Sequence, residues 1–260
     1  MNTPKQIPQW RIVAASVCGT SHIKNQQLCQ DAHHWQILPN NVLVVAAADG
    51  AGSASLGKVG AMIAVETAIE YISSWEITNS TLADDELLGD ILAHAMLAAR
   101  KAVEEEAEVS KHQTGDLATT LIIMIASPKV VAVAQIGDGV AVVKDSTGNL
   151  QALTIPKSGE YINETTFLTS PDALATTQTK ILRHNIVNLG VLTDGLQMLA
   201  LNMLVGEPHK PFFFPLFDFV AHAEDKIVAK EQLVKFLNSE RITQRTDDDL
   251  TLVIAAFNNS

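Results

Sequence analysis

Three aspartates in this chain stand at the ends of apolar segments that have the composition of β-strands. Asp49 and Asp194 come after such segments, and Asp248 comes just before one. Strand ends that are distant in the sequence can meet at one edge of a sheet. Carboxylates that meet repel one another unless a multivalent cation lies between them, and their hard oxygen atoms suit Mg²⁺ or Mn²⁺. The three acids together therefore predict a carboxylate-bound metal centre.

Glycines accompany these acids. Gly50 follows Asp49 and Gly195 follows Asp194, so that backbone carbonyls can approach an ion without an intervening side chain. A single Asp-Gly pair is more often a turn, and the prediction therefore depends on the combination. Asp138 lies between two further glycines. Alone it indicates a hairpin turn, and beside the other acids it is a candidate for an additional cation.

The composition limits the class of protein. The 260 residues are 47% hydrophobic, with a mean hydropathy of +0.15 and a formal net charge of −11, so one domain with a sizeable core is expected. The acidic balance argues against a nucleic-acid partner or an anionic membrane. No apolar run approaches the length of about 20 residues that spans a bilayer. Cys18 and Cys29 are the only cysteines, and we expect reduced thiols in a cytoplasmic protein.

The order of predicted elements favours an α+β fold with antiparallel sheets covered by helices, because strands and helices do not alternate regularly. Tyr161–Ala175 is predicted to be a loop or small flap. Helices are predicted over about Ser55–Trp75, Asp84–Val109 and Pro215–Leu237, the last broken near Glu224 and Asp225. Strands are predicted near Arg11–Cys18, Val42–Ala48, Ala118–Ile125, Val130–Gln135, Ala141–Lys144, Lys180–Arg183, Ile186–Leu192 and Leu250–Phe257.

A nucleotide-binding loop is the main rival interpretation of one motif. Gly52–Lys58 matches the G-x-x-x-x-G-K pattern that cradles phosphate in P-loop proteins. The next position must be Ser or Thr to bind Mg²⁺, and here it is Val59. The sequence also contains no Gly-x-Ser-x-Gly elbow and no zinc-type histidine spacing. His33 is open to three interpretations: it faces solvent, a strand edge or the metal site.

Six segments resemble, in the same order, the motifs of the metal-dependent (type 2C, PPM family) protein serine/threonine phosphatases. The segments around His22 and Cys29 are further similar to a compact bacterial branch of that family. The six segments are Gln30-Asp31-Ala32, Asp49-Gly50, Gly115–Thr120, Gly137-Asp138, Thr193-Asp194-Gly195 and Asp248–Thr251.

The resemblance implies a fold and a set of metal ligands. The fold would be a single domain over residues 1–260, with its core at about 11–257. Two antiparallel sheets would form a central sandwich flanked by helices on both sides, in four αββα layers. Asp49 would bridge two Mn²⁺ or Mg²⁺ ions, the Gly50 carbonyl would complete one, and Asp194 and Asp248 would hold the other.

The resemblance also implies the reaction. Asp31 would orient bound water through hydrogen bonds, and Asp138 would hold a weaker third ion. Phosphoserine or phosphothreonine would be hydrolysed by direct attack of a hydroxide held between the two ions. The catalytic residues would be Asp49, Asp194 and Asp248, which act through that hydroxide.

Three positions depart from the family pattern. Gln26 stands where many relatives have an arginine that grips phosphate, which leaves Lys24 or Arg11 as substitutes. Gln30 replaces a glutamate, and Ala51 replaces a histidine that is a candidate general acid. These losses motivate an alternative function, a catalytically weak pseudophosphatase that binds a partner or a phosphopeptide as a regulatory module.

The implied partners follow from the implied reaction. We expect phosphorylated protein substrates, with a eukaryotic-like Ser/Thr kinase or its targets opposing the activity. We expect no nucleic-acid or membrane partner, and a monomeric protein.

Overall fold

The structure is a computed structural model that describes residues 9–156 and 165–258. Its longer strands form two five-stranded antiparallel sheets, and a short hairpin forms a third, two-stranded sheet. The strands are β1 (Gln9–Val17), β2 (Ala32–Leu38), β3 (Val42–Ala48), β4 (Leu121–Ala126), β5 (Val131–Ile136), β6 (Val140–Asp145), β7 (Leu150–Thr154), β8 (Gln178–Leu182), β9 (Ile186–Leu192), β10 (Leu201–Asn202), β11 (Glu207–Pro208) and β12 (Leu250–Asn258).

The first sheet has the order β1-β12-β9-β6-β7, and the second has the order β2-β3-β4-β5-β8. The chain passes from one sheet to the other several times, so neither sheet corresponds to a separate segment of the sequence. In the first sheet β1 and β12, from the two ends of the described chain, lie side by side at one edge and pair over their full length. Residues that are far apart in sequence are therefore brought to the same sheet edge.

The two sheets pack face to face. In β3, Leu43 and Val45 face the other sheet, and Val44 and Ala46 face the covering helices. All seven residues of β3 are buried, which explains why its sequence is apolar throughout rather than alternating. Burial on both faces makes β3 one of the most rigidly held strands of the molecule.

Helices cover the outer face of each sheet. The helices are α1 (Thr20–Lys24), α2 (Gly57–Ser73), α3 (Asn79–Ala83), α4 (Asp85–Ser110), α5 (Gln197–Ala200), α6 (Lys210–His222), α7 (Lys226–Leu237) and α8 (Glu240–Thr243). Helices α2 and α4 pack on the second sheet, and α6 and α7 pack on the first. The predicted α+β class and four αββα layers are confirmed.

The helix ends follow capping chemistry. The Asp84 carboxylate accepts a hydrogen bond from the Leu87 amide at the start of α4, and Asp225 accepts from two amides at the start of α7. The predicted break near Asp225 is therefore the boundary between α6 and α7. The helical region begins at Lys210, earlier than the predicted Pro215, because Pro211 occupies the first turn and Pro215 lies inside α6.

Two longer strands, β2 and β7, escaped prediction. Both lie at the edges of their sheets. In β2 the exposed and half-buried residues alternate between buried ends.

His33 of β2 shares a hydrogen bond of 2.8 Å with the Ser16 hydroxyl of β1, and burial lowers its pKa to about 4. His33 therefore lies neutral between the sheets, and the interpretation in which it faces solvent is wrong.

The predicted flap lies only partly within the described residues, since 161–164 fall outside them. From residue 165 onward the segment is anchored to the second sheet and its helices. The Leu168 amide donates to Thr119 at 2.7 Å, Arg100 donates to the Ser170 carbonyl at 2.7 Å, and Leu168 and Ala173 are buried in the core.

The P-loop alternative is wrong, because β3 and β4 flank α2 as antiparallel neighbours, whereas a P-loop fold requires a parallel sheet. Among the described helices, none is long and apolar enough to cross a membrane.

Candidate metal centre

The ends of β9 and β12 bring Asp194 and Asp248 together. These strands are antiparallel neighbours, with Leu192 opposite Leu252. The end of one strand therefore lies beside the start of the other. A Cβ atom on Gly195 would lie 2.2 Å from the carbonyl oxygen of Asp249. The turn that carries Asp194 consequently packs directly on the backbone next to Asp248, and only glycine fits there.

Asp49 stands at the end of β3, and its backbone is held on three sides. The Thr119 hydroxyl donates to the Asp49 carbonyl at 2.9 Å, and the Thr120 amide donates to the same oxygen at 2.8 Å. The Asp49 amide donates to the Thr120 hydroxyl at 2.9 Å. These bonds fix the backbone of Asp49, so its carboxylate projects from a rigid position.

Gly50 makes a close backbone contact with the start of α2. A Cβ atom at this position would lie 2.3 Å from the carbonyl carbon of Gly57. The Gly50 amide donates to the Gln30 carbonyl at 3.3 Å. The glycine of the Asp-Gly motif is thus required for packing, whatever its carbonyl binds.

Asp31 is buried beside these groups. Its Oδ2 atom accepts a hydrogen bond from the Thr193 hydroxyl at 2.7 Å, and the nearby Thr251 hydroxyl also opposes the rise in its pKa. The carboxyl groups of Asp31 and Asp49 are within hydrogen-bonding reach of each other. Asp31 therefore links the edge of the second sheet to the neighbouring strands β9 and β12 of the first.

The clustered carboxyl groups raise one another's pKa values. Burial and the charges of Asp31, Asp194 and Asp248 raise the pKa of Asp49 to about 11. Burial and the charges of Asp138, Asp248 and Asp31 raise the pKa of Asp194 to about 8. Burial raises the pKa of Asp31 to about 7 and also raises that of Asp248. The protein alone cannot accommodate all these charges near neutral pH.

Asp138 lies in the turn between β5 and β6, next to Asp194. The Thr165 hydroxyl donates to its Oδ2 atom at 2.8 Å, and the Gln197 side chain donates to its backbone carbonyl at 2.5 Å. Its charge contributes to the raised pKa of Asp194. The structure therefore brings together all five aspartates that the sequence singles out.

Asp249 has a different environment from its neighbour Asp248. Its two carboxylate oxygens accept hydrogen bonds from the Gly19 and Gln30 amides, each at 2.6 Å, and His22 Nδ1 lies 2.9 Å from Oδ2. Cys18, His22 and Asp249 place one sulfur, one nitrogen and one oxygen atom within 4.8 Å of one another. The backbone donors explain the position of the Asp249 carboxylate, whereas His22 Nδ1 is buried and makes no hydrogen bond within residues 9–156 and 165–258. Asp249 holds the loops before α1 and β2 against the start of β12.

The Gln30 side chain contacts the backbone of the Asp-Gly motif. With its amide oriented to satisfy both of its polar atoms, its nitrogen donates to the Gly50 and Ala51 carbonyls, each at 2.9 Å. A glutamate could not donate these bonds. Gln30 is therefore a specific partner of the Gly50 carbonyl in this chain.

The two predicted phosphate-gripping cations are placed differently. The Arg11 guanidinium donates to the Ala221 carbonyl of α6 at 2.6 Å, and Arg11 pairs with Ala256, well inside β12. At about 3.3 Å per residue along β1, Arg11 lies roughly 20 Å from the carboxylate end. The prediction for Arg11 is wrong, because its side chain is committed to α6. Lys24 is exposed at the end of α1 and stays a prediction.

Several residues that the sequence did not assign contribute to this centre. Thr193 holds Asp31 and accepts a bond from the Thr251 amide, and Gln197 and Thr165 hold Asp138. Lys58, at the start of α2, is close enough to affect the pKa of Cys18, which places a positive charge on the same side of the cluster. Of these, Thr193 and Thr251 lie in or beside recognised motifs, whereas Gln197 and Thr165 carry no such signal.

The donor set fits a divalent cation with oxygen ligands. Asp31 Oδ1 and Asp138 Oδ1 are buried and accept no hydrogen bond from any group in residues 9–156 or 165–258. Such orphaned oxygens, in a cluster whose members repel one another, are satisfied by a cation. Carboxylate and carbonyl oxygens favour Mg²⁺ or Mn²⁺ over softer metals.

Comparison with known proteins agrees with this geometry. A sequence model of the protein phosphatase 2C family matches residues 18–238. The chain is 42% identical over 255 residues to serine/threonine-protein phosphatase 3 of Escherichia coli (strain K12), with 95% of this chain and 98% of that protein covered.

Two solved structures have the same fold. The serine/threonine phosphatase Stp1 from Staphylococcus aureus superimposes with a TM-score of 0.67 at 14% identity, covering 95% of each chain. The catalytic domain of the serine threonine protein phosphatase PstP, solved with 2 manganese ions, gives a TM-score of 0.64 at 16% identity and covers 96% of this chain and 99% of that chain. Taken with the family match, these findings show that the chain belongs to the protein phosphatase 2C family.

Proposed function

We propose that this protein is a divalent-metal-dependent phosphatase that hydrolyses phosphoserine and phosphothreonine in proteins. The observation that carries the proposal is the cluster of Asp31, Asp49, Asp194 and Asp248, whose burial raises all four pKa values, with the neighbouring carboxylates raising those of Asp49 and Asp194 further. Evolution of such a costly arrangement requires a compensating ligand, and a divalent cation provides one. The family of the chain and the name of its relative in Escherichia coli support the same activity.

Two Mn²⁺ or Mg²⁺ ions are proposed, with Asp49 as a ligand of both, the Gly50 carbonyl at one and Asp194 and Asp248 at the other. Asp138 is proposed for a weaker third ion. When bound, the ions supply a hydroxide near neutral pH and neutralise charge on the phosphoryl oxygens.

The remaining residues position these groups. Asp31 holds its acceptor oxygen Oδ1 free beside Asp49, because Thr193 engages the other carboxylate oxygen, Oδ2. In this position Asp31 can orient a water and accept its proton. Asp249 fixes the backbone around Gly19 and Gln30, so that Asp31 stays at a constant distance from Asp248.

Positive charge for the substrate phosphate is proposed to come from Lys24 and Lys58. Lys24 is exposed at the end of α1, whose Ser21 amide donates to the Asp247 carbonyl at 2.9 Å. Lys58 is half-buried near Cys18. Helix α1 thus contacts the residue next to Asp248, and α2 begins against Gly50, whereas the Arg11 side chain is bound to α6.

The activity is tested with p-nitrophenyl phosphate and a phosphothreonine peptide, measured with and without Mn²⁺. The proposal expects hydrolysis only with the metal, and a loss of at least about 100-fold in Asp49→Asn. An equal rate in the absence of Mn²⁺, or an unchanged rate in Asp49→Asn, would contradict it. Asp218→Asn, which removes an exposed carboxylate from α6, is the matched control.

A pseudophosphatase is the second candidate, and the Gln30 amide is the observation that favours it. Its nitrogen donates to the Gly50 carbonyl, the same oxygen that is proposed to bind a cation. This bond withdraws electron density from a metal ligand and contributes no negative charge. Calorimetry distinguishes the candidates, since a regulatory module would bind Mn²⁺ or a phosphopeptide without turnover, and Gln30→Glu would then increase activity.

The wider setting of the reaction is proposed from the substrate class. The chain would act as a single catalytic domain and a monomer on phosphorylated proteins, opposing a eukaryotic-like Ser/Thr kinase. Its two cysteines are free, which supports a reducing compartment such as the cytoplasm.

A further inference from the structure

A cavity of about 700 Å³ lies in the helical layer that covers the first sheet. It is formed where α6, α7 and α8 meet the end of α5. None of the clustered aspartates lines it. The cavity is therefore separate from the carboxylate cluster, and its volume is in the range of about 300–1,000 Å³ that is usual for small-molecule sites.

The walls of the cavity are apolar. Leu216 and Leu233 are buried at its base, and Phe219 and Phe236 are half-buried on opposite helices. Pro215 also lines it and has no amide hydrogen, so α6 lacks one backbone hydrogen bond at this wall. A cavity of this composition accommodates an alkyl chain or a ring system.

Two arginines stand at the rim of the cavity. Arg241 and Arg245 line it and are exposed. They are four residues apart, with Arg245 in the turn that follows α8, where its amide donates to the Ile242 carbonyl at 2.8 Å, and both side chains line the same cavity. Like charges at this spacing repel each other. Within the described residues, neither guanidinium makes an ion pair, and no Asp or Glu lines the cavity.

The charge at this rim contrasts with that of the whole chain, whose formal net charge is −11. A pair of guanidinium groups over an apolar cavity is complementary to a molecule with an anionic head and an apolar body. Guanidinium groups bind carboxylate and phosphate through paired hydrogen bonds. We propose that the cavity between α6, α7 and α8 is a binding site for an amphipathic organic anion, with its head group at Arg241 and Arg245.

The test is isothermal titration calorimetry of the full-length chain with dodecanoate below its micellar concentration. A buffer without divalent cations prevents precipitation of the dodecanoate and makes the result independent of phosphatase activity. We expect saturable binding of one molecule per chain. The double variant Arg241→Ala/Arg245→Ala should bind at least about tenfold more weakly, because charge-assisted hydrogen bonds are lost.

Two further variants distinguish the contribution of the arginine charges to binding from that of the apolar cavity. Lys101→Ala/Lys129→Ala removes the same charge from exposed positions on the α4 side of the molecule and should leave binding unchanged. Gln232→Trp places a large ring at an exposed lining position and should abolish binding. Circular dichroism checks that each variant is folded.

The head group is tested with three further ligands. Dodecyl phosphate should bind as well as dodecanoate or better, and whichever binds more tightly identifies the preferred head. Dodecanol should bind at least about tenfold more weakly, and acetate and inorganic phosphate should not bind measurably. The proposal is overturned if dodecanoate and dodecyl phosphate both fail to saturate, or if dodecanol binds equally and the double arginine variant is unaffected.

Discussion

The Thr193 hydroxyl donates a hydrogen bond of 2.7 Å to Oδ2 of Asp31, although the two residues are 162 positions apart in the chain. The bond joins the first sheet to the second at the carboxylate cluster. Because it stabilises the ionised form of Asp31, it opposes the effect of burial on the pKa of that group.

Thr193→Val should therefore weaken the metal centre, and it should also lower the stability of the fold, because the same hydroxyl accepts a hydrogen bond from the Thr251 amide at 3.0 Å. Loss of a hydrogen bond to a charged group costs about 1.5 kcal/mol or more, which corresponds to about tenfold weaker Mn²⁺ binding. Calorimetric titration of Mn²⁺ measures the change. Thr179→Val, at an exposed position of β8, is the control, and equal Mn²⁺ affinity in the two variants would show that the bond has no such role.

Asp249 and Asp247 should differ sharply in their contribution to stability. Asp249→Asn replaces one oxygen that accepts the backbone bonds of Gly19 and Gln30, and it should lower the free energy of unfolding by about 3 kcal/mol. Asp247→Asn removes an exposed carboxylate and should change it by less than about 0.5 kcal/mol. Urea denaturation monitored by circular dichroism measures both, and similar midpoints for the two variants would contradict the assignment.

Gly50 and Gly52 provide a matched pair for the packing of the Asp-Gly motif. Gly50→Ala would bring a Cβ atom within 2.3 Å of the Gly57 carbonyl carbon, whereas a Cβ atom on Gly52 meets nothing within 4 Å. We expect Gly50→Ala to cost about 3 kcal/mol or more and Gly52→Ala to be nearly neutral. Thermal denaturation decides, and a melting temperature for Gly50→Ala close to that of Gly52→Ala would refute the contact.

The metal-free protein should lose stability as the pH rises from about 6.5 to 9. Asp49 and Asp194 have folded-state pKa values raised to about 11 and 8, from an ordinary value of 3.8. In this window the folded state therefore binds more protons than the unfolded state, and ΔG of unfolding falls as the pH increases. Each carboxyl group that stays protonated only in the folded state contributes up to about 1.4 kcal/mol per pH unit.

The window begins above the ordinary pKa of histidine because His33 acts in the opposite direction. Its folded-state pKa is lowered to about 4, from an ordinary value of 6.5. Between these two values the unfolded state binds a proton that the folded state does not, so the free energy of unfolding decreases as the pH falls. Denaturation in urea with a chelator, repeated across the window, measures the slope. A flat or rising profile would show that the carboxyl groups do not interact as described, and saturating Mn²⁺ should flatten the profile because cations replace the protons.

The parts of the fold that could be predicted are those where the sequence pattern is set by burial on both faces. Val42–Ala48 is continuously apolar and Ile186–Leu192 is apolar apart from Asn188 and Gly190, and the observed strands have the predicted bounds. Strand β2 was missed because it lies at a sheet edge and contains His33, whose hydrogen bond with Ser16 depends on how the two sheets pack.

At the candidate site, too, local sequence features could be predicted, whereas contacts that depend on tertiary packing could not. Four of its aspartates, Asp49, Asp138, Asp194 and Asp248, carry a local signal, since each adjoins a predicted strand end or a glycine turn, whereas Asp31 is predicted only from the family resemblance. The hydrogen-bond donors that hold these aspartates carry no such local signal. Gln197 reaches Asp138 only because of the turn after β9, and the commitment of Arg11 to the Ala221 carbonyl depends on the position of α6. Such contacts follow from tertiary packing, and neither residue spacing nor composition encodes them locally.

Mn²⁺ titration of the wild-type chain and of Asp49→Asn tests the central claim most directly, with exposed Asp218→Asn as control. If carboxylates from distant segments share divalent cations, calorimetry will give about two ions per chain for the wild type and for Asp218→Asn. Asp49→Asn will lose both high-affinity sites. Its metal-free form will be more stable than the metal-free wild type at pH 8. Full Mn²⁺ stoichiometry and unchanged affinity in Asp49→Asn would contradict the account.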